Sequence, residues 1–187
     1  MNLILMGVAG SGKTTIGQKL AARLGGGWRF GDADDFHPPS SIKKMSRGLP
    51  LEDADRQPWL ESLRAHLDAS FARGESVVLA CSALKKAYRR TLAGTRGPTF
   101  FVYLKGDVDT IQARLRTRQD HYLKETLLRS QFETLEEPMP GTALVVDATL
   151  PPDEIVARIL RDAGLLLARA DSSLWASSSP TSSKICP

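Results

Sequence analysis

Gly7, Gly10, Gly12, Lys13 and Thr14, within Gly7-Val8-Ala9-Gly10-Ser11-Gly12-Lys13-Thr14, have the types and spacing to hold a polyphosphate. Glycine lets the backbone curl with its N–H groups turned inward, and it lets phosphate oxygens come close to them. A helix N-terminus behind such a turn adds positive partial charge. Lys13 can reach the β- and γ-phosphates, and the Thr14 hydroxyl is a ligand for Mg²⁺. Ser11 and Thr15 belong to the same nucleotide-binding set. A second group follows at Asp32-Ala33-Asp34-Asp35. Period-two alternation sends Asp32 and Asp34 to one side of a strand end, where Asp32 would orient metal-bound water and Asp34 would take a proton from an acceptor hydroxyl.

These groups need elements to carry them. Leu3-Ile4-Leu5-Met6 reads as a short buried strand, and Ile16, Leu20, Ala21 and Leu24 recur at helical spacing over Lys13–Leu24, so the glycine turn joins strand to helix. Strand-length apolar runs recur at Asn2–Met6, Trp28–Gly31, Ser76–Cys81, Thr99–Leu104 and Ala143–Asp147, with helical patterns between them. That alternation predicts an α/β three-layer sandwich, a five-stranded parallel sheet with helices on both faces. His37-Pro38-Pro39 breaks the chain after the second run. A helix from about Asp55 to Arg73 has Trp59, Leu60, Leu63 and Leu67 on its apolar face. Helical patterns also span Val108 to Leu115, Leu123–Leu135 and Pro152–Ala168.

In such sheets ligands sit at the carboxyl edge of the strands. The third run, Val77-Val78-Leu79-Ala80-Cys81, has no acid to orient a metal, which leaves that work to the acids after the second. His37, Lys43, Lys44, Arg47, Asp53, Asp55 and Arg56 form a polar cluster suited to a small polyol acid, since a guanidinium offers a carboxylate a bidentate fork. Ser82 and Lys85 follow the third strand at the same edge, where anions are favoured, with Ser82 also suited to cap a helix. Arg114, Arg118 and His121 fall where a mobile lid, at about 114–130, would close on the nucleotide and neutralise the phosphoryl group in transit.

A chain of 187 residues is sized for one domain, here 1–170, and 171–187 is a Ser-rich stretch expected to be disordered. Composition, 42% hydrophobic and 25% charged, is that of a soluble globular protein. No apolar run reaches the roughly 20 residues of a membrane span, and Met1-Asn2 has no basic leader. The expectation is a cytoplasmic protein. Net charge is +4, but 25 basic and 21 acidic residues are interspersed without a basic stripe or stacking platform, so nucleic acid is not the expected partner. Two cysteines, Cys81 and Cys186, make neither a disulfide framework nor a metal cluster, and Cys81 reads as buried.

Several strings are more specific than the phosphate loop. These are Asp32-Ala33-Asp34-Asp35-Phe36-His37-Pro38, Lys44-Met45 with Gly48-Leu49-Pro50-Leu51, Asp53 with Asp55-Arg56 and Pro58-Trp59-Leu60, Ala80-Cys81-Ser82-Ala83-Leu84-Lys85-Lys86 with Tyr88-Arg89, and Ser130-Gln131-Phe132-Glu133-Thr134-Leu135-Glu136. With the loop, they make the chain resemble the thermoresistant-type gluconokinases from Leu3 to about Arg161, a family similar in fold to shikimate and nucleoside monophosphate kinases. The resemblance implies phosphorylation of D-gluconate to 6-phospho-D-gluconate by ATP with Mg²⁺, in a homodimer. It implies phosphate and metal roles for Lys13 and Thr14, a place around gluconate for Asp34, His37, Arg56 and Lys85, and lid roles for Arg114 and Arg118. The chain departs from the family pattern at Asp120, where a lid glycine is usual, at Arg90, where an acid is usual, and in its Ser-rich end. Two other readings stay open on the residues alone: a kinase of another small hydroxy acid such as shikimate, and a nucleotide-binding switch without an acceptor pocket.

Overall fold

The computed structural model describes residues 1–47, 49–94, 96–116 and 121–162, the stretch 121–127 as backbone. The strands are β1 (Asn2–Met6), β2 (Trp28–Asp32), β3 (Ser76–Ala80), β4 (Thr99–Lys105) and β5 (Leu144–Asp147). They form one sheet in the order β2-β3-β1-β4-β5, and every pairing is parallel. The helices are α1 (Lys13–Leu24), α2 (Pro39–Ser46), α3 (Asp53–Ala72), α4 (Lys86–Ala93), α5 (Val108–Arg116), α6 (His121–Thr134) and α7 (residues 152–162). Parallel neighbours cannot be joined by a hairpin, and the helices supply the crossovers.

Strand alternation divides the core. Leu3 and Leu5 of β1 face Ile16 and Leu20 of α1 and Ile111 and Leu115 of α5, while Ile4 and Met6 face Trp59, Leu60, Leu63 and Leu67 of α3 with Tyr88 and Leu92 of α4. All five residues of β1 are buried because both its faces are covered. Each fully buried leucine of the α3 stripe contributes about 1.5–3 kcal/mol relative to exposure. Among the described residues, no helix is long and apolar enough to cross a membrane.

The element boundaries differ from expectation at a few informative points. The helix expected near Asp55 begins at Asp53, because the Asp55 carboxylate reaches back to accept the Glu52 N–H at 2.7 Å and secures the first turn. His37-Pro38-Pro39, which reads as a break, starts α2, since a proline in the first turn sacrifices no helical hydrogen bond. The expected lid interval, 114–130, takes in the end of α5 and most of α6. Residues 117–120, including Arg118 and Asp120, and the stretch from 163 onward, including the Ser-rich segment, lie outside the described residues.

Candidate active site

The phosphate loop leaves β1 and enters α1 as expected, and its glycines are required for two reasons. Gly12 caps α1 in a left-handed conformation at φ +95°. Gly10, at φ +82°, lies so close beneath α5 that a Cβ there would come within 2.8 Å of Leu115 Cγ. Packing, as well as phosphate access, forbids a side chain at Gly10. Lys13 Nζ donates to the Val8 carbonyl at 2.9 Å. Burial pushes its pKa down, opposed by the charges of Asp34 and Asp32. Ser11 is 1% exposed, and its hydroxyl has no partner among the described residues. Behind the loop, burial raises the Cys81 thiol to about 12, which keeps it protonated and unreactive.

Asp32 and Asp34 come together at the sheet edge, but not by strand alternation. β2 ends at Asp32, and Ala33–Phe36 form one 3-10 turn. Asp32 Oδ1 accepts the Asp34 N–H at 3.2 Å and closes that turn, while its Oδ2 accepts the Thr14 hydroxyl at 2.9 Å. One carboxylate therefore caps the turn and meets the phosphate loop together. The Asp34 carboxylate opens to the cleft, and its pKa is raised by burial of its surroundings and then by Asp32, against His37 and Lys13. Beneath it, the His37 side chain is only 7% exposed, stacks on Trp59 at 4.6 Å and 9°, and brings Nε2 to 3.9 Å from Asp34 Oδ1. Burial lowers the His37 pKa, which keeps the ring neutral near pH 7. Trp59 Nε1 donates to the Ala33 carbonyl at 2.7 Å, so α3 fastens the acid-bearing turn from below.

Lys85, Arg56 and Tyr88 meet where the first turns of α3 and α4 come together. Lys85 Nζ donates to both oxygens of Asp53, at 2.8 and 2.7 Å, and the Tyr88 hydroxyl donates to the same carboxylate. Arg56 reaches the Tyr88 hydroxyl at 3.4 Å, with its guanidinium carbon 5.8 Å from the ring centroid. Ala83 bends the β3–α4 connection with φ +44°, a left-handed turn that Arg89 holds through the Ala83 and Leu84 carbonyls at 3.0 and 2.9 Å. Ser82 is not the helix cap that its type allows. The cap position of α4 is Lys85, and Ser82 instead offers its carbonyl to the Gly7 N–H at 3.2 Å.

Arg114 donates to the carbonyls of Ala148 and Thr149 at 2.5 and 3.0 Å, so it is held against the segment after β5. There it borders a cleft of about 340 Å³ with Gly12, Thr15, Ala148, Leu150 and Pro152. This volume is at the lower end of small-molecule sites. Apolar walls, an adjoining guanidinium and the phosphate loop suit a flat heterocycle joined to a phosphate chain.

A Mg²⁺ ion fits the donors present. Among the described residues, no three His, Cys, Asp or Glu side chains could hold a metal by themselves. The Thr14 hydroxyl and Asp32 carboxylate supply hard oxygens of the kind that bind Mg²⁺ jointly with substrate phosphates and water.

Comparison with known proteins agrees with this geometry. The shikimate kinase family model matches residues 9–164. A probable gluconokinase from Xenopus tropicalis is 43% identical over 175 residues, covering 85% of this chain and 91% of that protein. The chain belongs to the gluconokinase family. A thermosensitive gluconokinase from Escherichia coli is 47% identical over 137 residues, covering 73% of the chain and 72% of that family member. The crystal structure of a gluconokinase from Sinorhizobium meliloti superimposes with a TM-score of 0.76 at 39% identity, covering 95% of this chain and 97% of that one. Three residues of the site were not singled out as ligands from sequence: Tyr88, Trp59 and Gln131. Each lies inside a family string, but only the fold shows that Tyr88 faces Arg56, that Trp59 holds Ala33 and that Gln131 meets the phosphate loop.

Proposed function

We propose that this gluconokinase-family chain transfers the terminal phosphoryl group of ATP to the 6-hydroxyl of D-gluconate, releasing ADP and 6-phospho-D-gluconate. The observation that carries this reading is that Asp34 lies close enough to the phosphate loop for its charge to act on Lys13, while Arg56, joined to Tyr88, acts on the same His37 ring that neighbours Asp34. A switch protein would need the loop alone. The cluster of Arg56, Lys85 and Tyr88 supports a sugar acid, since a guanidinium and an ammonium attract its carboxylate while Asp53 and Tyr88 can exchange hydrogen bonds with its hydroxyls.

In the transfer, the hydroxyl oxygen bonds to the γ-phosphorus as the bond to the β,γ-bridging oxygen breaks. ADP leaves with that electron pair, and Asp34 takes the hydroxyl proton. Lys13 and the loop amides neutralise the phosphates. Mg²⁺, when bound, shields phosphate charge, with Thr14 as ligand and Asp32 orienting its water. His37 acts beneath Asp34, because its buried ring offers the cleft little surface. Arg114 flanks the nucleotide base, and Arg118 is assigned the neutralisation of charge on the transferring phosphoryl group. The functional unit is a homodimer, which sedimentation would read directly. The test is a screen of sugar acids for ATP consumption with mass detection of the product. Turnover with shikimate and none with gluconate would overturn the assignment.

A further inference from the structure

Glu136, just past the end of α6, grips both peptide units that flank the Cα of Lys85. Its main-chain N–H donates to the Leu84 carbonyl at 3.0 Å, and its carboxylate accepts the Lys86 N–H at 2.6 Å. Those two peptide planes define the φ and ψ of Lys85, −90° and 148°, and with them the direction in which its Cβ leaves the main chain. Lys85 occupies the cap position of α4, but an ammonium cannot accept a hydrogen bond, so Lys85 cannot itself cap the helix. The Glu136 carboxylate does for the Lys86 N–H what an N-cap side chain does elsewhere, and it places negative charge at the helix N-terminus.

The segment held in this way is conformationally demanding. Ala83 stands in the left-handed region at φ +44°, which costs an L-residue free energy and persists only where the surroundings enforce it. Ala83 and Leu84 are 0% and 2% exposed and belong to opposite core layers, and Arg89 takes both of their carbonyls. Leu135, next to Glu136, packs against both layers too, which fixes Glu136 relative to the sheet. At the other end of the segment, the Ser82 carbonyl accepts the Gly7 N–H, so the phosphate loop is tied to Ser82 and Glu136 serves Lys85. The Lys85 ammonium sits at the tip of a flexible four-carbon stem, so its position depends on where that stem starts and on Asp53, which accepts at its end.

We propose that Glu136 is a positioning residue for sugar-acid binding, bracketing Lys85 so that its ammonium is aimed at the acceptor. This rests on the reading that Lys85 contacts the sugar acid. The decisive variant is Glu136→Met, which keeps the length of the side chain and removes the acceptor. Glu136→Ala takes its place if thermal melts show that the first does not fold, and Glu136→Gln restores a carbonyl oxygen for Lys86. In coupled assays Glu136→Met should raise KM for gluconate about three- to tenfold, with kcat and KM for ATP within about twofold of the unaltered protein, and Glu136→Gln should return KM to within about twofold. In a Lys85→Met background the Glu136→Met change should add less than about twofold, because its effect passes through Lys85. Amide hydrogen exchange of the ligand-free protein should quicken over residues 84–89 in Glu136→Met and not in Glu136→Gln. An unchanged KM for gluconate in Glu136→Met would overturn the proposal. So would a matching rise in KM for ATP, which would reveal a disturbed phosphate loop, or a full effect in the Lys85→Met background, which would place the action of Glu136 elsewhere. If the unaltered protein phosphorylates no sugar acid, the function assigned above fails, while hydrogen exchange at Lys86 still decides whether Glu136 holds the segment.

Discussion

Replacing Trp59 by phenylalanine tests whether α3 holds the acid-bearing turn in place. Trp59 is 3% exposed, its Nε1 donates to the Ala33 carbonyl at 2.7 Å, and its ring stacks on His37 at 4.6 Å. Phenylalanine retains an aromatic face but has no N–H, so the Ala33 carbonyl is left buried and unpaired, at a cost of about 1–3 kcal/mol. The smaller ring also forfeits part of the roughly 0.5–1.5 kcal/mol of the stack. The expected loss is about 1–4 kcal/mol. With a urea dependence near 2 kcal/mol per M, the unfolding midpoint should fall by about 0.5–2 M. The loosened turn carries Asp32 and Asp34, so kcat should fall as well, while KM for ATP changes little because the phosphate loop is anchored by β1 and α1. Urea melts followed by circular dichroism and steady-state kinetics read both effects. A midpoint shift under about 0.25 M, no larger than that of a silent surface substitution, together with unaltered kcat, would refute the anchoring role.

Asp34→Asn should lower kcat by about 10²–10⁴ while calorimetry still finds ATP bound, as expected for loss of a proton acceptor. Because burial and Asp32 raise the Asp34 pKa, activity should decline as pH falls through a value above the ordinary 3.8, and Asp32→Asn should move that acid limb to lower pH by removing the neighbouring charge. A pH series of kcat/KM checks both shifts. Tyr88→Phe removes the hydroxyl between Asp53 and Arg56, so KM for gluconate should rise by about 3–10-fold with KM for ATP unchanged in steady-state assays. Gly10→Ala should destabilise the fold by about 1–3 kcal/mol in urea melts and weaken ATP binding, since its Cβ would overlap Leu115 in a left-handed backbone.

The phosphate loop, the five parallel strands and the two faces of the core were legible in the sequence because their determinants are local. Glycine and lysine spacing defines the loop, and apolar runs alternating with helical periods define the layers. Asp32 and Asp34 were legible as site residues, but not the means of joining them. Asx capping of a short turn looks the same in sequence as the end of a strand. Arg114 illustrates the converse: its place on a basic helix face suggests a role at the nucleotide, and only the meeting of α5 with the segment after β5 reveals the Ala148 and Thr149 carbonyls that hold it.

The sequence by itself determined that a polyphosphate would be cradled at the end of the first strand, with carboxylates close by. The tertiary structure decided what surrounds that cradle. Arg56 and Tyr88 lie 32 positions apart, Trp59 and Ala33 lie 26 apart, and Gln131 and Ala9 lie 122 apart, yet each pair is in hydrogen-bond contact. No short-range pattern encodes such pairs, because they depend on how crossover helices settle on a twisted sheet, and that is set by the packing of the whole core.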